Sequence, residues 1–118
     1  MEFTALPNRE RAVVDLAKLR DYCLNPCHQD GKHKARVFKA ALGVGRADAE
    51  WLRERILEAA ATRPGVLTAT TPFGILYVLD FVLTTASGSA VVRCGWIVRY
   101  DEDHPRLTTC YVTVGAKR

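Results

Sequence analysis

A change in character near Gly65 constrains the fold of this 118-residue chain more than any other feature of its sequence. Before Gly65, apolar residues recur at helical spacing among many charged side chains. After it, residues 65–98 are rich in Val, Leu, Ile, Thr and aromatic residues, and they contain two charged residues, Asp80 and Arg93. Apolar residues make up 48% of the chain, which is enough for one globular core. Helices followed by a run of strands predict an α+β fold.

The boundaries of the predicted elements follow from capping and turn residues. Asp15 is a good helix N-cap, Asn25-Pro26 ends the first helix, and Gly43 fits the end of the second. After a short strand at 11–14, helices are predicted at about 16–24, 32–42 and 47–61, and strands at about 66–71, 75–85, 90–100 and 106–114. We expect a single domain, 1–118, in which about three helices (about 15–62) pack on one face of a four-stranded antiparallel sheet (about 65–114).

The predicted hairpins assign side chains to the two faces of this sheet. A two-residue turn at Ser87-Gly88 sets Gly95 opposite Asp80 and Arg93 opposite Val82. Pairing Tyr100 with Arg106 then sets Thr109 opposite Ile97, Tyr111 opposite Gly95, and Thr113 opposite Arg93. One face, expected to pack on the helices, carries Tyr77, Leu79, Phe81, Leu83, Cys94, Trp96, Val98, Cys110 and Val112. The other is a polar patch around Gly95 that carries Asp80, Arg93, Arg99, Thr109, Tyr111 and Thr113, with Val78, Val82 and Ile97 among them.

Arg93 stands among apolar neighbours in a strand, where a charge needs a partner. In the predicted register Asp80 is its diagonal neighbour. The two residues form a structural ion pair, or Arg93 serves as a phosphate clamp. Thr109 and Tyr111 share this face, either as ordinary sheet-surface residues or as functional ones.

The net charge of +4 is mild, but residues 31–46 hold five Lys and Arg residues and no acid. This segment is either an anion-binding surface or a solvated helix face. Lys34 lies in the first turn of the second helix, where its charge opposes the helix dipole, and a bound phosphate would relieve that conflict. Lys32 and His33 share this geometry. His28 lies in the loop before the helix and is a candidate general acid or base.

The four cysteines are too few for a disulfide scaffold. Cys23 and Cys27 have a spacing found in zinc sites, but no second close pair of ligands follows, and free thiols are the favoured interpretation. Cys94 and Cys110 lie in apolar runs and are expected in the core. No metal or cofactor is expected.

The chain shows no apolar run after a basic start, so we expect no signal peptide. Its longest apolar stretches are interrupted by Asp80, Arg93 and Arg99, and none reaches the roughly 18 residues of a membrane span. A cytoplasmic bacterial protein is expected.

Two sets of residues resemble an uncharacterised bacterial domain family that is associated with toxins. The first is the run from Leu19 to His28, with Gly31-x-x-Lys34-Ala-x-x-Phe38 and Leu42-Gly43 after it. The second is Gly95-Trp-Ile-Val-Arg99 with Pro105-Arg-Leu-Thr-Thr-Cys-Tyr111, so that the likeness covers about residues 6–113. Such domains stand beside an antitoxin partner or at the C-terminus of larger toxins. Cys23 and Cys27 depart from the family pattern.

The family resembles the barnase, EndoU, colicin and RelE group of metal-independent ribonucleases. The resemblance implies a toxin that cleaves RNA by transesterification and binds a cognate, acidic antitoxin or immunity protein. The candidate catalytic residues are His28, Lys34, Arg93, Thr109 and Tyr111. The candidate substrate-binding residues are Lys32, His33, Asp80 and Arg99. A non-catalytic module that binds nucleic acid or protein through the same face, and an antitoxin or immunity protein, are the alternatives.

Overall fold

A computed structural model describes residues 2–113 and has the expected α+β architecture. Four strands form one antiparallel sheet in the order β1-β2-β3-β4. They are β1 (Val66–Thr70), β2 (Gly74–Thr85), β3 (Gly88–Arg99) and β4 (Arg106–Val112). The sheet is a simple meander, so β4 is an edge strand. The predicted strand end at residue 114 lies outside the described residues.

Three helices precede the sheet. The first, α1, is an α-helical turn (Leu16–Lys18) that continues as a π-helical turn (Leu19–Cys23). Then come α2 (Lys32–Leu42) and α3 (Ala49–Thr62), and short 3-10 turns lie at Arg9–Arg11 and Arg46–Asp48. Asp15 caps α1 by accepting a hydrogen bond from Ala17 N at 3.0 Å, and Gly43 ends α2 with a φ of 69°. Both residues act as the sequence predicts.

The helices pack on the predicted apolar face of the sheet. Tyr77, Leu79, Phe81, Leu83, Cys94, Trp96, Cys110 and Val112 are all buried, and Val98 packs against them. The helices contribute Leu19, Phe38, Leu42, Leu52 and Ile56 to the same core. The opposite face of the sheet, which we call the outer face, carries the predicted polar residues.

The β2–β3 register differs from the predicted one by two residues. The turn is formed by Ala86 and Ser87, so the prediction of a Ser87-Gly88 turn is wrong. Gly88 instead begins β3 opposite Thr85, with a φ of 157°. The turn is held by the Thr85 hydroxyl, which donates to the Leu42 carbonyl of α2 at 2.7 Å. Because side chains alternate every residue, a shift of two leaves every side chain on its predicted face.

The same shift changes which residues face each other. Arg93 lies directly opposite Asp80, not opposite Val82, and Gly95 lies opposite Val78. On the other side, Tyr111 lies opposite Arg93 rather than opposite Gly95.

The β3–β4 register also differs from the predicted one, and it contains a bulge at Gly95/Trp96. Gly95 pairs with Thr109 on one side of the bulge, and Ile97 pairs with Arg106 on the other. The predicted pair of Thr109 with Ile97 is wrong because Arg106 pairs with Ile97 and not with Tyr100, a shift of three residues. The bulge accommodates one extra residue of β4, so the shift is two residues at Gly95.

The N-terminal segment pairs with residues at the starts of both edge strands, β1 and β4. Val13 forms a parallel bridge to Arg106 at the start of β4, where the sequence predicts a strand over 11–14. Thr4 forms a second bridge to Gly65. Within residues 2–113, no helix is long and apolar enough to cross a membrane.

Candidate functional site

Lys34 projects from the first turn of α2 to a point between two tyrosines at the β4 edge of the sheet. Its Nζ donates a hydrogen bond to the Tyr22 hydroxyl at 3.0 Å. The same atom lies 5.0 Å from the centre of the Tyr22 ring and 5.9 Å from the centre of the Tyr111 ring. Both distances are within the range of cation–π attraction. The hydrogen bond to Tyr22 raises the pKa of Lys34 above its usual 10.5, so the side chain is a cation at neutral pH.

A second cation lies one strand further into the sheet. Arg93 of β3 faces Tyr111 on one side and Asp80 on the other. Its Nε and Nη2 donate to the Asp80 carboxylate at 2.8 and 2.9 Å. The contact with Asp80 raises the pKa of Arg93, and Tyr111 contributes in the same direction. We call Tyr22, Lys34, Arg93, Tyr111 and Asp80 the cation–tyrosine cluster, whose charges sum to one positive charge.

The local backbone explains why Tyr22 reaches Lys34. Leu24 N donates to the Leu19 carbonyl at 2.8 Å, five residues back, which defines the π-helical turn. The turn buries Leu19 and Cys23 and leaves Tyr22 half-buried beside the start of α2. Gly31 lies against this turn so closely that a Cβ at Gly31 would overlap the Tyr22 carbonyl oxygen. Only glycine fits here without displacing Tyr22.

His28 shapes the start of α2. Its Nδ1 accepts hydrogen bonds from the backbone N–H groups of Asp30 and Gly31, both at 3.0 Å. Its ring meets the Tyr22 ring edge to face, with centroids 4.9 Å apart. Since Nδ1 is an acceptor in both bonds, the network assigns the imidazole proton to Nε2. In this arrangement Nδ1 of His28 fixes the loop that leads into α2, and Nε2 is left with a proton to donate.

His33 lines a surface depression next to Lys34. This depression has a volume of about 340 Å³, and its walls are formed by His33, Lys34, Val37, Tyr111 and Val112. The His33 side chain is exposed, and it makes no side-chain hydrogen bond within residues 2–113. Of the histidines near the cluster, His33 is the one with both ring nitrogens available to a ligand.

Other predicted site residues lie apart from the cluster. Arg99 ends β3 and lines a separate depression of about 610 Å³ together with Phe73 and Tyr100. Lys32 is exposed on α2, and Lys32 and Arg99 are not among the residues that line the depression next to Lys34.

Thr109 shares the outer face with Arg93 and Tyr111, and it lies opposite Gly95. The predicted open room above Gly95 is filled, because a Cβ there would lie 3.0 Å from both Thr108 Oγ1 and Thr109 Cγ2. Glycine at this position therefore makes space for two threonines of β4.

Tyr22 is the member of the cluster that sequence reasoning missed. It falls within the apolar stripe of the first helix, where a tyrosine is ordinarily a packing residue. Its position in the quoted motif, 12 residues before Lys34, was the available signal.

Three of the four cysteines lie beneath this site. Cys94 and Cys110 face each other across β3 and β4 with their sulfurs 3.8 Å apart, and both are buried as predicted. Cys23 is buried too, and burial raises its pKa to about 12. Cys27 is exposed, so the Cys-x3-Cys pair points in two directions. No cluster of three or more His, Cys, Asp or Glu residues suited to a metal ion occurs in the part of the chain that the structure describes.

Comparison with known proteins gives a family and a fold. The family described as "Domain of unknown function (DUF6883)" matches residues 5–114. No curated protein matches the chain. A solved chain from a "Contact-dependent growth inhibition toxin - immunity protein complex from Klebsiella pneumoniae 342" superposes with a TM-score of 0.66 at 20% sequence identity, covering 86% of this chain and 99% of that one. The two chains therefore share a fold.

Proposed function

We propose, from the premise that this chain belongs to the DUF6883 family, that it is a bacterial toxin that cleaves RNA without a metal ion. Its cognate partner is an antitoxin or immunity protein. The observation that carries the proposal is the position of Lys34, which lies between the Tyr22 hydroxyl and the Tyr111 ring. A second cation, Arg93, lies opposite Tyr111 in the sheet. Lys34 and Tyr111 line one surface depression, and each contacts a further member of the cluster, Tyr22 and Arg93. Two cations and two phenols in this arrangement suit a phosphodiester.

The reaction is an attack by a ribose 2′-oxygen on the adjacent phosphorus. The bond from phosphorus to the 5′-oxygen breaks, and the products are a 2′,3′-cyclic phosphate and a 5′-hydroxyl. One proton leaves the 2′-hydroxyl and one arrives on the 5′-oxygen. Lys34, whose raised pKa keeps it charged, stabilises the negative charge that grows on the phosphorane oxygens.

The surrounding side chains divide the remaining roles. His33 accepts the proton of the 2′-hydroxyl, since its imidazole lines the depression. The Tyr22 hydroxyl accepts a hydrogen bond from Lys34 and keeps its own proton for donation to the leaving oxygen. After the products leave, solvent takes the proton from His33 and supplies one to Tyr22. His28 donates from Nε2 to a phosphate oxygen, while its Nδ1 holds the start of α2.

Arg93 and Tyr111 complete the site on the sheet. Asp80 occupies the Nε and Nη2 edge of the Arg93 guanidinium, so a phosphate meets its remaining Nη1 edge. Tyr111 stacks on or hydrogen-bonds a base, and Thr109 lies beside it on the same face.

The shared fold supports a role in a toxin–immunity pair and fits either member of it. The cation–tyrosine cluster favours the toxin. An inhibitor of an RNA-binding protein often mimics its anionic substrate, whereas this chain carries a net charge of +4. The cognate inhibitor is accordingly expected to be acidic.

The proposal is tested with purified protein, total tRNA and a short oligoribonucleotide in buffer containing EDTA. Cleavage ends should carry a 2′,3′-cyclic phosphate. Lys34→Ala and Arg93→Ala should each lower the rate by about 100-fold or more. Lys18→Ala serves as the control, because Lys18 lies in α1 and forms no ion pair within residues 2–113.

Two results would overturn the proposal. If RNA stayed intact in every buffer and expression caused no growth arrest, the proposed ribonuclease activity would be excluded. Growth arrest that persists in the Lys34 and Arg93 variants would instead identify a binding module that does not cleave RNA.

A further inference from the structure

The basic segment of α2 has two faces, and the cation–tyrosine cluster uses one of them. Lys32, Arg36 and Lys39 are spaced four and three residues apart, so they form one row along the helix. All three are exposed, whereas Lys34 is half-buried on the side of β4. We call this row the outer α2 face.

The positive charges of the outer α2 face are not neutralised by acidic side chains within residues 2–113. None of its three cations forms an ion pair or a side-chain hydrogen bond within residues 2–113. Lys32 adds a positive charge at the helix N-terminus, where the dipole disfavours it. Arg46 lies next to the row, but it already has partners. Its Nη2 forms an ion pair with Asp21 Oδ1 at 2.9 Å, and its Nε donates to the Arg20 carbonyl oxygen at 3.0 Å.

A depression of about 460 Å³ lies beside the row. The buried residues Leu24 and Ala35 form its floor, and Pro26, Arg36, Lys39, Gly45 and Arg46 form its rim. An apolar floor under a rim of cations suits a planar, partly apolar group attached to an anion. A nucleotide within an RNA chain has that chemistry.

The composition of this face favours RNA over a protein partner. Protein interfaces are centred on buried aromatic and large apolar anchors. The large apolar side chains exposed among residues 2–113 are Phe3, Trp51, Leu67, Phe73, Val82 and Tyr100, and none belongs to α2. Three unpaired cations in a row without such an anchor match a phosphate backbone.

We propose that the outer α2 face is a second RNA-binding surface, and that the substrate is therefore a folded RNA held on both sides of α2. This inference rests on the proposed function, because it concerns the same substrate. The two sides are separated by the width of one helix, about 10 Å. A short single strand bound at Lys34 does not need the outer face, whereas a stem-loop extends far enough to contact both.

The test measures binding without cleavage. The probes are an RNA hairpin and a five-nucleotide single strand, both fully 2′-O-methylated so that no attacking hydroxyl is present. The variant is Arg36→Gln/Lys39→Gln, which keeps good helix formers at two exposed positions. The control is Arg9→Gln/Arg63→Gln, which removes the same charge from the 3-10 turn and from the end of α3.

We expect the Arg36/Lys39 variant to bind the hairpin about tenfold more weakly at low salt. The slope of log affinity against log salt should fall by about 1.5, since each phosphate contact contributes about 0.7 to 0.9. Binding of the five-nucleotide strand should change by less than about twofold, and the control should retain most of its hairpin affinity.

Other outcomes separate this inference from the proposed function. Equal losses in the variant and the control would overturn the inference, because net charge alone would explain them. Unchanged hairpin binding with loss of binding to an acidic cognate inhibitor would also overturn it, and would assign the face to that protein. Hairpin binding that depends on Arg36 and Lys39 in a protein without nuclease activity would support the inference and remove the proposed function.

Discussion

Asp80 and Arg93 face each other across β2 and β3 and share two hydrogen bonds, of 2.8 and 2.9 Å. The pair is partly exposed, with 38% and 42% of the two side chains accessible. An ion pair with that exposure contributes little to stability. Its more important effect is to fix the guanidinium beside Tyr111 while cancelling half of the positive charge of the cluster.

Asp80→Asn should therefore strengthen RNA binding and barely change stability. We expect the affinity for the 2′-O-methylated hairpin to rise about threefold, because one negative charge leaves the site. The free energy of unfolding in urea should fall by less than about 1 kcal/mol. Asp103→Asn is the matched control, since it breaks the exposed Arg11–Asp103 pair elsewhere. An equal rise in both variants would attribute the effect to net charge alone.

Tyr22→Phe should lower the cleavage rate by about tenfold or more while preserving the fold. The change removes the hydroxyl that accepts from Lys34 Nζ and leaves the ring in place. Single-turnover cleavage of the short oligoribonucleotide measures the loss. Tyr100→Phe is the control, because it also removes a hydroxyl with one hydrogen bond, to the Thr71 carbonyl at 2.7 Å. Equal rates for the two variants would contradict a role of Tyr22 in the reaction.

His28 should affect both stability and cleavage, whereas His33 should affect cleavage alone. His28→Ala removes the acceptor of two backbone hydrogen bonds and should cost about 1 to 2 kcal/mol of unfolding free energy. His28→Asn should recover part of it. His33→Ala should leave stability within about 0.5 kcal/mol of wild type and lower cleavage by 100-fold or more. Urea unfolding and cleavage rates check both, and an active His33→Ala protein would exclude His33 as the proton carrier.

Gly31→Ala should destabilise the protein, whereas Gly45→Ala should not. A methyl group at Gly31 overlaps the Tyr22 carbonyl oxygen, which belongs to the backbone and cannot swing away. A methyl group at Gly45 meets only Lys39 Nζ, at 3.8 Å. We expect a loss of at least about 2 kcal/mol for the first and under about 0.5 kcal/mol for the second. Thermal unfolding measures both, and similar melting temperatures would contradict the close approach.

Thiol titration should find one reactive cysteine in the folded protein. Cys27 is exposed, whereas Cys23, Cys94 and Cys110 are buried. Cys23 has a pKa of about 12, so a fraction of about 10⁻⁴ of it is thiolate at pH 8. The hydrogen bond with Cys94 and burial raise the pKa of Cys110. A disulfide reagent at pH 8 should modify Cys27 quickly and the other three only after unfolding. A second fast thiol would contradict the described core.

The assignment of side chains to sheet faces was predictable, and the pairs across strands were not. Side chains alternate between the two faces along any continuous strand, including β2 and β3. Asp80 and Arg93 therefore stay on the same face when the β2–β3 register shifts by two residues. Which residues face each other depends on the turn. The Ser87-Gly88 dipeptide is a good turn signal, but Gly88 is drawn into β3 while the Thr85 hydroxyl holds the turn against α2. That contact joins residues 43 positions apart, and no local pattern contains it.

The candidate site, like the sheet, was predictable in part: the sequence indicates several of its residues but not the contacts among them. Lys34, Arg93 and Tyr111 follow from the motif and the outer face, and the structure brings them together. The role of His28 depends on the loop that returns Asp30 N and Gly31 N to its Nδ1, and residue type alone does not reveal that geometry. Tyr22 joins the site because a π-helical turn redirects it, and sequence periodicity does not distinguish such a turn from an α-helix.

The turn at Leu19–Cys23 makes the cluster sensitive to chain length as well as to side-chain chemistry. A π-helical turn holds one more residue than the α-helical turn it replaces, so it is equivalent to a single-residue insertion. Deleting one residue there would restore an α-helix and rotate the preceding helix by about 100° relative to α2. The Tyr22 hydroxyl would then leave Lys34 although no functional side chain had been substituted. Among relatives of this chain, a gap at this turn would separate domains that keep the Tyr22–Lys34 contact from domains that have lost it.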